Sequence, residues 1–193
     1  TFASKWLIPR LAEFTEAHPD IDLRITATER VSSFHADGID LAVRQGRPPF
    51  GASLRADLLF PQEVIAVCSP NLVAQQDLPL DAVALTRVTL LHDTHDLWPK
   101  FIEATYGREA EAPRGLRFNQ TTLSLDAALA GQGIALASRF LVQRDLNGGR
   151  LVQPIDSTLE GGLDFYLLIP REGASTATLY VRTWLLRMTN DGG

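Results

Sequence analysis

His92-Asp93-Thr94-His95-Asp96 puts two imidazoles and two carboxylates within five residues, donors that suit a divalent cation or acid–base work. The run follows the strand-like Val88–Leu91, so it reads as a loop without the fixed i, i+4 spacing of helical metal sites. Solvated polar residues, with His92 nearest a ligand, are the expectation, and no metal is expected. Cys68 is the single cysteine, which excludes an intrachain disulfide and a cysteine-built zinc site. It lies in an apolar stretch without a cationic neighbour and reads as packing rather than as a redox sensor. Gly-x-Ser-x-Gly, Gly-x-Gly-x-x-Gly and Gly-x-x-x-x-Gly-Lys do not occur, so the usual hydrolase elbow and nucleotide loops are excluded. No acid, base and nucleophile form a set. The expectation is a protein that is not an enzyme and carries no cofactor.

Hydroxyl and amide side chains precede three expected helices. Thr1 and Ser4 stand before the first, Ser32 and Ser33 before the second, and Asn119, Gln120, Thr121 and Thr122 before a third. Such residues are either N-caps or the rim of a site. An open helix start offers N–H donors and a positive dipole end, which suits anionic or carboxylate-bearing ligands. Neutral donors contribute roughly 0.5–1.5 kcal/mol each, so four of them support affinity on the order of millimolar. A tighter ligand needs a charge or an aromatic wall. Arg44, with Gln45 beside it, supplies the charge unless it pairs with a nearby carboxylate. Phe165 and Trp98 supply the wall unless they fill core.

The elements that must position these residues follow from the rest of the chain. Its 193 residues are 45% apolar and 21% charged, with 18 basic against 23 acidic side chains. That apolar content excludes a disordered chain, and no apolar run is long enough to span a bilayer. No basic cluster is present to grip nucleic acid. The start lacks the pattern of a secretory signal, and no repeat is visible. Residues 4–18 predict a helix re-entered at Pro9, with Leu7, Leu11 and Phe14 on one face. Alternation over Ile21–Thr28 predicts a half-buried strand, residues 33–37 a short helix and Ile39–Val43 a buried strand. Leu54–Phe60 and Glu63–Val67 are strand-like, broken at Pro61. Strands are also expected at 88–91, 116–118, 133–137, 151–152 and 163–169, and helices at 96–105, 122–130 and just after the 133–137 strand. A last helix capped by Ser175 carries Val181, Trp184, Leu185 and Met188 as its apolar stripe. Alternating short helices and strands mean an α/β protein with mainly parallel sheets.

Four stretches carry a resemblance. Trp6-Leu7-Ile8-Pro9-Arg10-Leu11-Ala12-Glu13-Phe14 runs on to His18-Pro19-Asp20-Ile21-Asp22-Leu23. Gly38-Ile39-Asp40-Leu41-Ala42-Val43-Arg44 comes next, then Glu63 to Pro70 ending in Val67-Cys68-Ser69-Pro70. Gly131-Gln132-Gly133-Ile134-Ala135-Leu136, Leu146 to Leu151 and the Trp184-Leu185-Leu186 helix complete the order. Together they cover nearly the whole chain. It resembles the effector-binding domain of LysR-type transcriptional regulators, in the branch of the glycine-cleavage and β-lactamase-gene regulators.

The resemblance implies a two-lobed, periplasmic-binding-protein-like fold with two hinge crossovers. Lobe I is expected over 1–64 plus 160–193, and lobe II over 65–159. A small effector in a cleft would touch Thr1, Ser4, Ser33, Arg44, Gln45, His92, Asn119, Thr121, Thr122 and Phe165. The family often carries an acidic residue where Ser33 stands. The implied partners are a small effector, for which an anion is one option, and further copies of the chain, as dimers of effector domains and tetramers at full length. DNA would be met only through an N-terminal winged helix-turn-helix that this sequence does not contain, and no membrane is involved. The family's first lobe I strand would lie just before Thr1, so the native polypeptide is expected to be longer and cytoplasmic. A periplasmic solute-binding protein on the same fold is the alternative.

Overall fold

Glu63–Val67 and Ile134–Ser138 carry small and branched apolar residues on both faces, the pattern of strands covered from both sides. The computed structural model describes residues 1–28, 34, 37–107 and 114–190. A π-helical turn over Ala3–Leu7 and a 3-10 turn over Ile8–Arg10 lead into α1 (Leu11–Ala17), β1 (Ala42–Gly46), β2 (Leu54–Phe60) and β3 (Glu63–Val67). Then come α2 (Ala82–Leu85), β4 (Leu90–His92), α3 (Trp98–Tyr106), β5 (Gly115–Arg117), α4 (Thr121–Leu129) and β6 (Ile134–Ser138). α5 (Arg139–Asn147), β7 (Leu159–Glu160), β8 (Asp164–Pro170) and α6 (Thr176–Asn190) complete the chain. None of these helices is long and apolar enough to cross a membrane.

Two compact units divide the chain: Thr1–Trp6 with Glu63–Glu160, and Leu7–Gln62 with Gly161–Gly193. The backbone passes from one to the other after Trp6, Gln62 and Glu160.

The first unit is built on a five-stranded sheet in the order β5-β4-β6-β3-β7. Alternation along β3 splits its core. Val64, Ala66 and Cys68 pack with Leu90, Ile134, Trp98, Phe101 and Ile102 on one side. Ile65 and Val67 pack with Leu91, Ala135, Leu125, Ala128 and Val142 on the other. Both faces are thus covered, by α3 on one side and by α4 and α5 on the other. The second unit holds a three-stranded sheet, β1-β8-β2, with Leu167, Leu168 and Ile169 of β8 buried. Its two chain segments are stitched together: the Gln62 N–H donates to Asp164 Oδ1 at 2.9 Å, and the Gly161 N–H to the Gln62 carbonyl at 3.0 Å.

The sheets are mixed rather than mainly parallel. β4 pairs parallel with β5 and β6, where helical crossovers return the chain in the same direction. β3 pairs antiparallel with β6 and β7, and β8 antiparallel with β1 and β2. Hydrophobic alternation records which face is buried, not strand direction, so the sequence could not separate the two cases. Residues 21–28 do not form the expected strand; no described strand pairs with them, and an unpaired strand has no ladder to hold it. The strand expected at Ile39–Val43 lies at Ala42–Gly46, running into polar Arg44 and Gln45 because its faces are only half-buried. Leu151–Val152 contributes a single bridge to Cys68. The helix expected over 33–37 falls largely outside the described residues.

β2 and α6 are joined by one well-formed ion pair. Arg182 donates through Nε and a terminal nitrogen to the two Asp57 oxygens, each at 2.8 Å. This guanidinium holds the Asp57 carboxyl below its usual 3.8. A depressed folded-state pKa stabilises above the unfolded value and is lost as pH falls through the folded one. Asp57→Asn should therefore cost about 1–2 kcal/mol at neutral pH. Urea titrations should show that penalty shrinking below about pH 4. A penalty that stays constant down to pH 2.5 would show that it does not come from the charge on Asp57.

Candidate ligand-binding site

The start of α4 gathers the polar chemistry of the first unit. β5 runs alongside β4 with His92 opposite Arg117, and the Phe118 N–H donates to the His92 carbonyl at 2.9 Å. The chain is thereby delivered to Thr121 beside Asp93. The Thr121 hydroxyl donates to Asp93 Oδ2 at 2.6 Å, while Asp93 Oδ1 accepts the His95 N–H at 3.0 Å. One residue on, the Thr122 hydroxyl donates to Thr1 Oγ1 at 3.1 Å. The N-cap of α4 is Gln120, whose side chain does not cap the helix and whose carbonyl takes the Leu123 and Ser124 N–H groups at 3.1 and 3.4 Å; Thr121 and Thr122 are its first two helical residues.

Thr1 is held there by its own segment. Its carbonyl accepts the Ser4 hydroxyl at 3.1 Å and the Lys5 N–H at 3.0 Å. Lys5 Nζ reaches Asp126 Oδ1 on α4 at 2.7 Å, and Phe2 stacks on Trp6 with ring centres 5.2 Å apart. Thr1, Thr121 and Thr122 are thus brought together across more than a hundred residues of sequence. Ser4 belongs to the set through the Thr1 carbonyl. Asn119 is exposed just before the helix.

His92 differs from its expectation. It is the last residue of β4 and only 1% exposed, with Nδ1 3.8 Å from Asp96 Oδ1. It is an interior residue of the sheet, not a solvated loop residue. Trp98 is core as well: fully buried, its indole N–H donates to the Leu91 carbonyl at 3.0 Å. Burial pushes the Cys68 thiol up to about 12, so it stays protonated and unreactive in the folded protein. Among the described residues no group of three or more His, Cys, Asp or Glu is placed to hold a metal ion.

Three expected residues lie in the second unit. Gln45 pairs with Phe165, and Arg44 with Tyr166, across β1 and β8. Neighbours along a strand point to opposite faces and cross-strand partners to the same one. Gln45 and Phe165 therefore share a face, and Arg44 stands on the other with Tyr166. Gln45 also donates to the Leu163 carbonyl at 3.3 Å. Arg44 and Gln45, neighbours in sequence, thus face opposite sides of β1. Ser33 lies outside the described residues. Two residues were missed as parts of this constellation: Asp93, weighed as a cation donor and then read as a solvated loop residue, and Tyr166, whose place beside Arg44 follows from a register that one strand alone does not reveal.

These elements and this order of motifs are those of a recognised ligand-sensing class. Residues 1–189 match the LysR substrate binding domain, and the chain belongs to that family. Its fold is the two-lobed, periplasmic-binding-protein-like α/β fold of LysR effector domains. Among the relatives, the glycine cleavage system transcriptional activator of Escherichia coli K12 is 33% identical over 188 residues, covering 96% of this chain and 61% of that protein. The effector domain of the transcriptional regulator AmpR of Pseudomonas aeruginosa superposes with a TM-score of 0.78 at 30% identity, covering 98% of this chain and 92% of that one. The AmpR effector binding domain of Citrobacter freundii gives 0.80 at 23% identity, covering 98% and 94%, a likeness of fold. The chain spans about three fifths of the length of the curated relatives it matches.

Proposed function

We propose that this chain is the effector-sensing domain of a LysR-type transcriptional regulator, with Glu63–Glu160 as the core of one lobe and Leu7–Gln62 plus Gly161–Gly193 as the other. The observation that carries the reading is the start of α4, which Gln120 leaves without a side-chain cap, flanked by the Thr1–Thr122 hydroxyl pair. The first N–H groups of a helix and its positive dipole end are suited to a ligand carboxylate. Asp93, at the same helix end, sets a further condition. A second ligand carboxylate would meet its charge, whereas an amine would be attracted. The effector is therefore read as a small carboxylate that carries an amine, such as an amino acid. Family likeness, rather than geometry, supports roles for Arg44, Gln45 and Phe165.

Such a domain works by differential affinity. A ligand shifts a two-state balance only as far as it prefers one state, and turning 1:99 into 99:1 needs about 5.5 kcal/mol of preference. In this reading the domain acts in the cytoplasm as part of a homo-oligomer. DNA contact is left to the helix-turn-helix implied by relatives such as the HTH-type transcriptional activator AmpR. The solute-transport alternative finds no support in these relatives, which are named as transcriptional regulators.

Thermal-shift screening tests the site, because a ligand bound only by the folded state raises its melting point. An amino acid from the panel should raise Tm, and dicarboxylates without an amine should not. Thr122→Val, or Thr1→Val, should weaken the responding ligand roughly ten- to a hundredfold, the loss of one or two hydrogen bonds. Unchanged affinity in both variants would remove the ligand from this helix start.

A further inference from the structure

We propose that the hollow between the end of α1 and the face of α6 is a second ligand site, which takes a small aromatic carboxylate. It is lined by Ala17, His18, Tyr180, Thr183, Trp184 and Arg187 and has a volume of about 130 Å³. That is close to the scale of a cavity known to admit benzene, about 150 Å³. The walls are aromatic. His18 stacks on Tyr180 with ring centres 4.9 Å apart and planes 23° from parallel. Trp184 is 5% exposed and packs on Phe14 at 5.2 Å. Ring faces of this kind favour a flat partner in stacked or edge-on contact.

One polar feature adds a requirement for negative charge. Arg187 lines the same hollow, and no carboxylate does. Its guanidinium pairs with Glu13, but both side chains are more than half exposed. An ion pair so solvated is weak, and the guanidinium can exchange it for a bidentate contact with a ligand carboxylate. An aromatic ring to fill the walls and one carboxylate for Arg187 together define the class. All these residues belong to the second unit, so the site is separate from the α4 helix start and does not depend on its assignment.

Indole N–H signals of the ¹⁵N-labelled chain read the site directly, since Trp6, Trp98 and Trp184 are the only tryptophans and Trp184→Phe assigns the relevant one. Sodium benzoate is the probe and acetate the control for charge alone. Benzoate should move the Trp184 signal saturably, with half-saturation on the order of 1 mM, and leave Trp6 and Trp98 in place. Arg187→Gln should raise the half-saturation roughly fivefold by removing the charge-assisted contact. Ala17→Leu, an exposed substitution that fills the hollow, should abolish the shift. Thr122→Ala should not alter it. A linear drift without saturation, an equal response to acetate, a response that survives Ala17→Leu, or one lost in Thr122→Ala would each overturn the proposal.

Discussion

Trp98→Ala should destabilise the protein by about 3–5 kcal/mol, the usual range for deleting a buried Trp. For a chain of this size that is a fall in Tm of roughly 10 °C or more. The ring is fully buried among Leu90, Phe101 and Ile134, edge-on to Phe101 with centres 5.8 Å apart, and its N–H satisfies the Leu91 carbonyl. Truncation leaves a cavity and removes the hydrogen bond to the Leu91 carbonyl. Trp98→Phe keeps most of the volume and loses the hydrogen bond, so it should cost about 1–2 kcal/mol. Calorimetry on the two variants separates the contributions. Equal losses would show that packing counts for little there.

Gly115→Ala should be nearly as damaging, by about 3 kcal/mol. A Cβ at this position would sit 1.9 Å from the carbonyl oxygen of Leu90 and 2.8 Å from its carbon. Those atoms are backbone of the neighbouring strand and cannot swing aside, so β5 must move away from β4. The loss would extend beyond stability, because the β4–β5 pairing delivers Phe118 to the His92 carbonyl and Thr121 to Asp93. Gly115→Ala should therefore weaken any ligand held at the start of α4, whereas Trp98→Ala should lower Tm with a smaller change in affinity. A Gly115→Ala protein with wild-type Tm would mean that the strands are not in this register.

What the sequence made legible were the local features. Leu54–Phe60 and Glu63–Val67 coincide with their strands because Pro61 interrupts an otherwise continuous apolar run. α4 begins and ends within a residue of its expectation, with Gly131 in the left-handed region just beyond it. Ser175 accepts the Thr178 N–H at 3.1 Å, as a cap should. What escaped depends on partners distant in sequence. Residues 21–28 alternate like a strand but lack a described neighbour. His92 is polar in type, yet as the end of β4 it lies inside the sheet. Thr121 meets Asp93 across 28 residues, and Thr122 meets Thr1 across 121, separations over which no periodicity carries information. The opposite facing of Arg44 and Gln45 was available in principle from the two-residue repeat of a strand.

The division of the chain also bears on how it is made. Apart from Thr1–Trp6, one unit is nested inside the other in sequence: the rest of it, Glu63–Glu160, is a continuous stretch, whereas the unit around β8 needs Leu7–Gln62 and Gly161–Gly193 together. On the ribosome, where domains settle as units and the earlier part emerges first, the nested body can finish folding while the last segment is still being synthesised. The outer body must wait for β8, which slots between β1 and β2. Until then two strands that will flank it have unfilled edges, the kind of surface on which nascent chains associate wrongly. A pause or truncation shortly before residue 161 would thus leave a well-made inner body joined to an outer one that cannot close.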